Sequence, residues 1–104
     1  MEIERLDNPD AEEVLEEELK KIKDMPHSKL STFMGASNIL SYEVGGKNDD
    51  VGYDVEVESA WVDEPGGNLE VHVALFEKSW RVALPLTATF IITPDDSIIE
   101  ETRG

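Results

Sequence analysis

The stretch "SWRVALPLTATFIIT", Ser79 to Thr93, alternates more strictly than any other part of this 104-residue chain. Trp80, Val82, Leu84, Leu86, Ala88, Phe90 and Ile92 share one parity, with Arg81, Ala83, Pro85, Thr87, Thr89, Ile91 and Thr93 on the other. A period of two over that length predicts a β-strand with one face in a core. Pro85 interrupts it, and proline has no N–H to give to a ladder. Two placements accommodate it: a sheet edge with that nitrogen outward, or a bulge at Leu84-Pro85-Leu86 that bends the strand.

Upstream, the same parity rule yields two more strands. Val51, Tyr53, Val55, Val57 and Trp61 lie on one side of residues 51–62, with Asp54, Glu56 and Glu58 on the other. Leu69, Val71, Val73 and Leu75 continue the apolar side through residues 69–77. A three-residue Pro65-Gly66-Gly67 loop places Asp63 opposite Leu69 and Trp61 opposite Val71, which keeps both apolar rows together. With residues 80–93 these make an antiparallel meander, and 97–104 reads as a short last strand or a tail.

The cover for the meander comes from the N-terminal half. "PDAEEVLEEELKKIKDM", residues 9–25, has proline at its first position, Asp10, Glu12 and Glu13 in its first turn, and Lys20, Lys21 and Lys23 near its end. That order complements the helix dipole. Ala11, Val14, Leu15, Leu19 and Ile22 form a single apolar stripe at helical spacing. In residues 26–46 the spacing of Leu30, Phe33 and Met34 at i, i+3, i+4 is consistent with a short helix opened by Ser28 and closed by Gly35, and "NILSYEV" reads as a strand, with a second helical segment as the alternative. The fold class is therefore α+β, a single domain with one N-terminal helix on a curved antiparallel sheet of four to five strands.

The far face of that sheet is expected to carry Asp54, Glu56, Glu58, Glu70, His72 and Arg81, mixed with Val62, Ala74, Phe76, Ala83, Thr87, Thr89 and Ile91. Such a mixture is more apolar than a solvated face requires. Residues 26–44 cover it, or it meets another molecule.

Charge narrows the choice of partner. Twenty-four acidic residues against nine Lys and Arg give a formal charge of −15. A chain so charged repels phosphate backbones and anionic lipid, so neither direct nucleic-acid binding nor membrane-surface binding is expected. It lacks a signal-peptide pattern, an apolar run of roughly 18–20 residues and any cysteine. The expectation is a cytoplasmic protein without disulfides, thiol chemistry or cysteine metal sites.

Motifs for catalysis are missing. No G-x-S-x-G, P-loop or G-x-G-x-x-G occurs. Two histidines, His27 and His72, and no cysteine make a poor metal inventory; His72 near Glu56 and Glu58 reads as a strand residue with a carboxylate neighbour, and "NDDVGYD" around Asn48, Asp50 and Asp54 lacks the acidic last ligand of a calcium loop. No cofactor and no metal are expected.

A helix followed by a curled antiparallel meander resembles the cystatin-like fold in outline, and NTF2-like domains share that layout. Tyr42-Glu43-Val44-Gly45-Gly46 matches the valine and glycine of the cystatin Gln-x-Val-x-Gly hairpin, with Tyr42 in place of glutamine and no Pro-Trp hairpin downstream. The resemblance implies architecture and carries no inhibitor function with it. The function expected is a non-enzymatic acidic module that binds a basic protein, as an inhibitor or nucleic-acid mimic does, through Glu13, Glu16, Glu17, Asp54, Glu56 and Glu58. Two alternatives stand beside it. One is a structural or assembly subunit that self-associates into a homo-oligomer through its sheet. The other is a small-molecule site between helix and sheet, built from Tyr53, Trp61, His72 and Trp80.

Overall fold

The computed structural model describes residues 9–46, 52–77 and 85–103. Its fold is α+β, with one main helix on a five-stranded antiparallel sheet. Helix α1 runs Pro9–Lys23, with a one-turn helix α2 at His27–Leu30 and a 3-10 turn at Ala36–Asn38. The strands are β1 (Leu40–Gly45), β2 (Gly52–Trp61), β3 (Leu69–Glu77), β4 (Leu86–Ile92) and β5 (Ile98–Arg103). They pair in chain order, β1-β2-β3-β4-β5, a simple meander whose outline is compatible with the cystatin-like and NTF2-like layouts.

Alternation sets what each strand buries. Tyr53, Val55 and Val57 of β2, Leu69, Val71, Val73 and Leu75 of β3, and Ala88, Phe90 and Ile92 of β4 all point to one side and are buried. Onto that side α1 lays Ala11, Val14, Leu15, Leu19 and Ile22, every one of them at most 3% exposed. Leu30 and Phe33 close the same core from the connection after α1. Residues 26–38 thus lie with the helix, and β1 lies in the sheet. Neither covers the far face.

Four details depart from the sequence reading, each for a local reason. Trp61 stands opposite Leu69, and Ser59 opposite Val71, so the β2–β3 register is displaced by two residues. The loop between them holds its own β-turn, in which the Gly67 amide donates to the Glu64 carbonyl at 3.0 Å. Pro65 is its second residue and Gly66, at φ 86°, its third, the type II pattern. The hairpin closes outside that turn, where the Val62 amide donates to the Asn68 carbonyl. An even displacement keeps parity, so the apolar faces stay together.

The second departure concerns Pro85. It belongs to no strand, and β4 starts at the next residue. Nor is β4 an edge, because β5 pairs along it. A proline just ahead of the first ladder residue costs no hydrogen bond. The expected strand over 80–93 is therefore seen as Leu86–Ile92, while residues 78–84, with the expected reversal after Glu77, lie outside the described residues.

The other two departures concern the helices. Asp24 and Met25 fall in the turn after α1, beyond its last residue Lys23. Helix α2 begins at His27, with Pro26 rather than Ser28 at its cap and no side-chain cap of its own. Its first amide is taken from far away in sequence: the His27 N–H donates to Asp96 Oδ1 at 2.7 Å. Phe33 and Met34 follow α2, and Met34 forms a parallel bridge with Ser59 on the edge of β2 beyond β1.

Two carboxylates are buried beneath the helix. Asp10 (4% exposed) accepts from the Tyr53 hydroxyl at 2.9 Å, and Glu18 (4% exposed) accepts from the Tyr42 hydroxyl at 2.9 Å and from Lys21 Nζ at 3.0 Å. Burial, and then the hydrogen bond to Glu18, push the Tyr42 phenol well above its ordinary pKa. Tyr53→Phe keeps the ring and removes one donor from a buried carboxylate. It is expected to cost about 1–3 kcal/mol in urea unfolding, more than an ordinary hydrogen-bond deletion at the surface.

Candidate functional site

The far face of the sheet is built row by row from the register. Glu43, Asp54 and Phe76 stand opposite one another across β1, β2 and β3. Ser41, Glu56, Ala74 and Thr87 form the next row; then come Glu58, His72, Thr89 and Thr102, and finally Ala60, Glu70, Ile91 and Glu100. Read along the strands, the face is divided. β2 carries the carboxylates Asp54, Glu56 and Glu58, with Glu43 alongside on β1. Beside them β3 and β4 present Phe76, Ala74, Thr87, Thr89 and Ile91, all half-buried.

His72 stands between the two zones. Its Nε2 lies 2.6 Å from Glu70 Oε1 and its Nδ1 3.0 Å from Thr89 Oγ1, with Glu58 directly opposite on β2. Among the described residues it is the one basic side chain on this face. Lys20, Lys21 and Lys23 belong to α1 and Lys29 to α2. Arg103 reaches Glu16 of α1 at 2.6 Å, and Lys23 pairs with Glu101. That pairing with Lys23 holds the Glu101 carboxyl below its ordinary pKa. The described lysines and Arg103 are therefore all on the helix side of the sheet, whereas carboxylates stand on both sides. Arg81, expected on the far face, lies outside the described residues.

The six acidic residues expected to bind a partner fall into two sets. Glu13, Glu16 and Glu17 are exposed on the outward side of α1, and Glu16 is engaged by Arg103. Asp54, Glu56 and Glu58 lie beyond the opposite surface of the sheet. One flat partner cannot reach both.

The residues expected to form a pocket are not gathered either. Tyr53 is 1% exposed and bonded to Asp10. Trp61 is on the same face, but eight residues along β2, about 27 Å at strand rise. His72 points to the other face, and Trp80 lies outside the described residues. The neighbour of Trp61 is His27, with ring centroids 5.6 Å apart. Nε2 of His27 donates to the Gly67 carbonyl at 2.7 Å, so this histidine ties the β2–β3 loop, α2 and the Asp96 turn together. Between α1 and the sheet the space is occupied by the apolar core, and no described buried side-chain N or O lacks a partner. No cluster of three metal-ligating side chains occurs among the described residues, and no described helix is long and apolar enough to cross a membrane.

Sequence reasoning missed His27, Asp10 and Glu18. For the acids a signal existed: Asp10, Val14, Glu18 and Ile22 follow one another at i+4 along the buried stripe, and both tyrosines of the chain sit at apolar strand positions. For His27 none did, since its partners are 40 and 69 residues away.

Comparison with known protein families, with curated proteins and with solved structures returned no match to this chain.

Proposed function

We propose that this chain is a non-enzymatic acidic module that binds a basic protein through the far face of its sheet, in the manner of an inhibitor or a nucleic-acid mimic. The observation that supports it is a face on which Asp54, Glu56 and Glu58 meet no described lysine or arginine, joined to half-buried apolar groups that no described element covers. Successive outward positions on a strand are about 6.7 Å apart. The carboxylates of Asp54, Glu56 and Glu58 therefore repeat on the scale of the phosphate step along a nucleic-acid strand. A protein whose cleft holds such a backbone would find comparable charge here.

The test is capture by tagged protein from nuclease-treated lysate of the source organism at low and at high salt. Expected is a basic protein retained at low salt and lost at high salt, because exposed charge pairs are screened. Recovery of the chain alone would end this reading.

Self-association is the second reading, favoured by β5. No described strand pairs beyond it, and Ile98 and Ile99 are 39% and 58% exposed there. An exposed edge strand is a template for another strand. Sedimentation at raised salt, with a mass above 11.6 kDa, would support it.

A further inference from the structure

Resting on that reading, we infer that the partner docks an amphipathic basic α-helix, laid along β3 and β4 with its apolar side on Phe76, Ala74, Thr89 and Ile91. Its lysines or arginines flank that side and meet Asp54, Glu56 and Glu58. The backbone decides between helix and extended peptide. An extended peptide docks by adding main-chain hydrogen bonds to a sheet edge. At the centre of this face there is no edge, because β3 is paired on both sides and so is β4. A segment lying there must satisfy its own N–H and C=O groups, and a helix does so internally.

The dimensions agree. The strip between the β2 carboxylates and Glu100 of β5 spans three strand spacings, about 14 Å, and a helix with side chains is about 10–12 Å across. Four rows along the strands cover about 20 Å, the length of a helix of roughly 13 residues. Helix positions i and i+4 rise about 6 Å, close to the roughly 6.7 Å between rows, so one small or apolar ridge meets each row in turn. Acidic groups lie to one side on β2 and, through Glu100, to the other, while Glu70, inside the strip on β3, is paired with His72. They would select a helix that carries cations on both flanks and none along its ridge.

The test uses synthetic peptides, with the isotope-labelled chain observed by NMR at low salt. One peptide is an 18-residue helix (about five turns) with leucine and alanine along one ridge and lysines on both flanks. The other has the same composition scrambled, so that no ridge exists. Expected is about tenfold tighter binding of the first, with amide shifts at residues 54–58, 72–76 and 87–91. Ile91→Thr, which keeps a β-branched side chain, should erase most of that preference and leave the scrambled peptide unaffected. Thr89→Val, which keeps shape and adds apolar surface on the same docking line, should strengthen it. Equal, salt-sensitive binding of both peptides overturns the helix while leaving the acidic docking face standing. Shifts on α1 alone, or no binding of either peptide, overturn the docking face as well.

Discussion

Phe90→Ala is expected to lower the unfolding free energy by about 3–5 kcal/mol, and Phe76→Ala by no more than about 1 kcal/mol. The chemistry is identical and the two strands are neighbours, so the difference comes from parity. Phe90 stands opposite Val71 and Glu101 in the ladder, with its ring on the α1 side and fully buried. Removing it leaves a cavity among Leu, Ile and Val side chains that cannot all close in. Phe76 points to the divided face, where solvent or the neighbouring side chains take up the lost volume. A domain of this kind is stable by only about 5–15 kcal/mol, so Phe90→Ala should be partly unfolded in mild denaturant. Equilibrium urea unfolding of both variants measures the contrast. Equal losses would mean that the far face is covered as thoroughly as the helix side, and would remove the docking surface.

That contrast also separates what the residues reveal in one dimension from what needs three. Parity was legible because each strand has one buried face: Tyr53, Val55 and Val57 or Leu69, Val71 and Val73 can be assigned without knowing any partner. The α1 stripe was legible for the same reason at a period of 3.6. The β2–β3 register was harder, because it depends on a turn inside the loop, and Pro65-Gly66 allowed a tighter hairpin than the one formed. Pro85 read as an interruption because alternation continues on both of its sides. Where a ladder begins is set by the neighbouring strands, not by that pattern. His27 shows the limit most clearly. A lone histidine beside a proline has no periodic context, and its role rests on Gly67, Trp61 and Asp96, which only the folded chain brings to it. The acidic residues were legible as charge but not as surfaces. Nothing in their spacing says that Glu13 and Glu56 face away from one another.

That separation yields the prediction with the largest effect on binding. Glu56→Lys with Glu58→Lys should weaken the captured basic partner by about 100-fold at low salt, whereas Glu12→Lys with Glu13→Lys should change it by less than about threefold. Both double variants alter net charge equally, so a partner held only by the long-range field would respond to them alike. A partner seated on the sheet would not. It meets reversed charge at the positions it desolvates in one variant, and a remote charge screened within about 8–10 Å in the other. All four sites are at least partly open to solvent and none carries core packing, so both variants should fold, as unfolding curves close to that of the parent chain would verify. The measurement is the dissociation constant at two salt concentrations for each variant. A large loss confined to the helix pair would move the docking surface to α1, where Glu16 and Glu17 lie beside Lys20 and Lys21. Equal losses would reduce the partner's preference to net charge. A loss confined to the β2 pair would assign recognition to the sheet, with Asp54 as the next residue to reverse along the same strand.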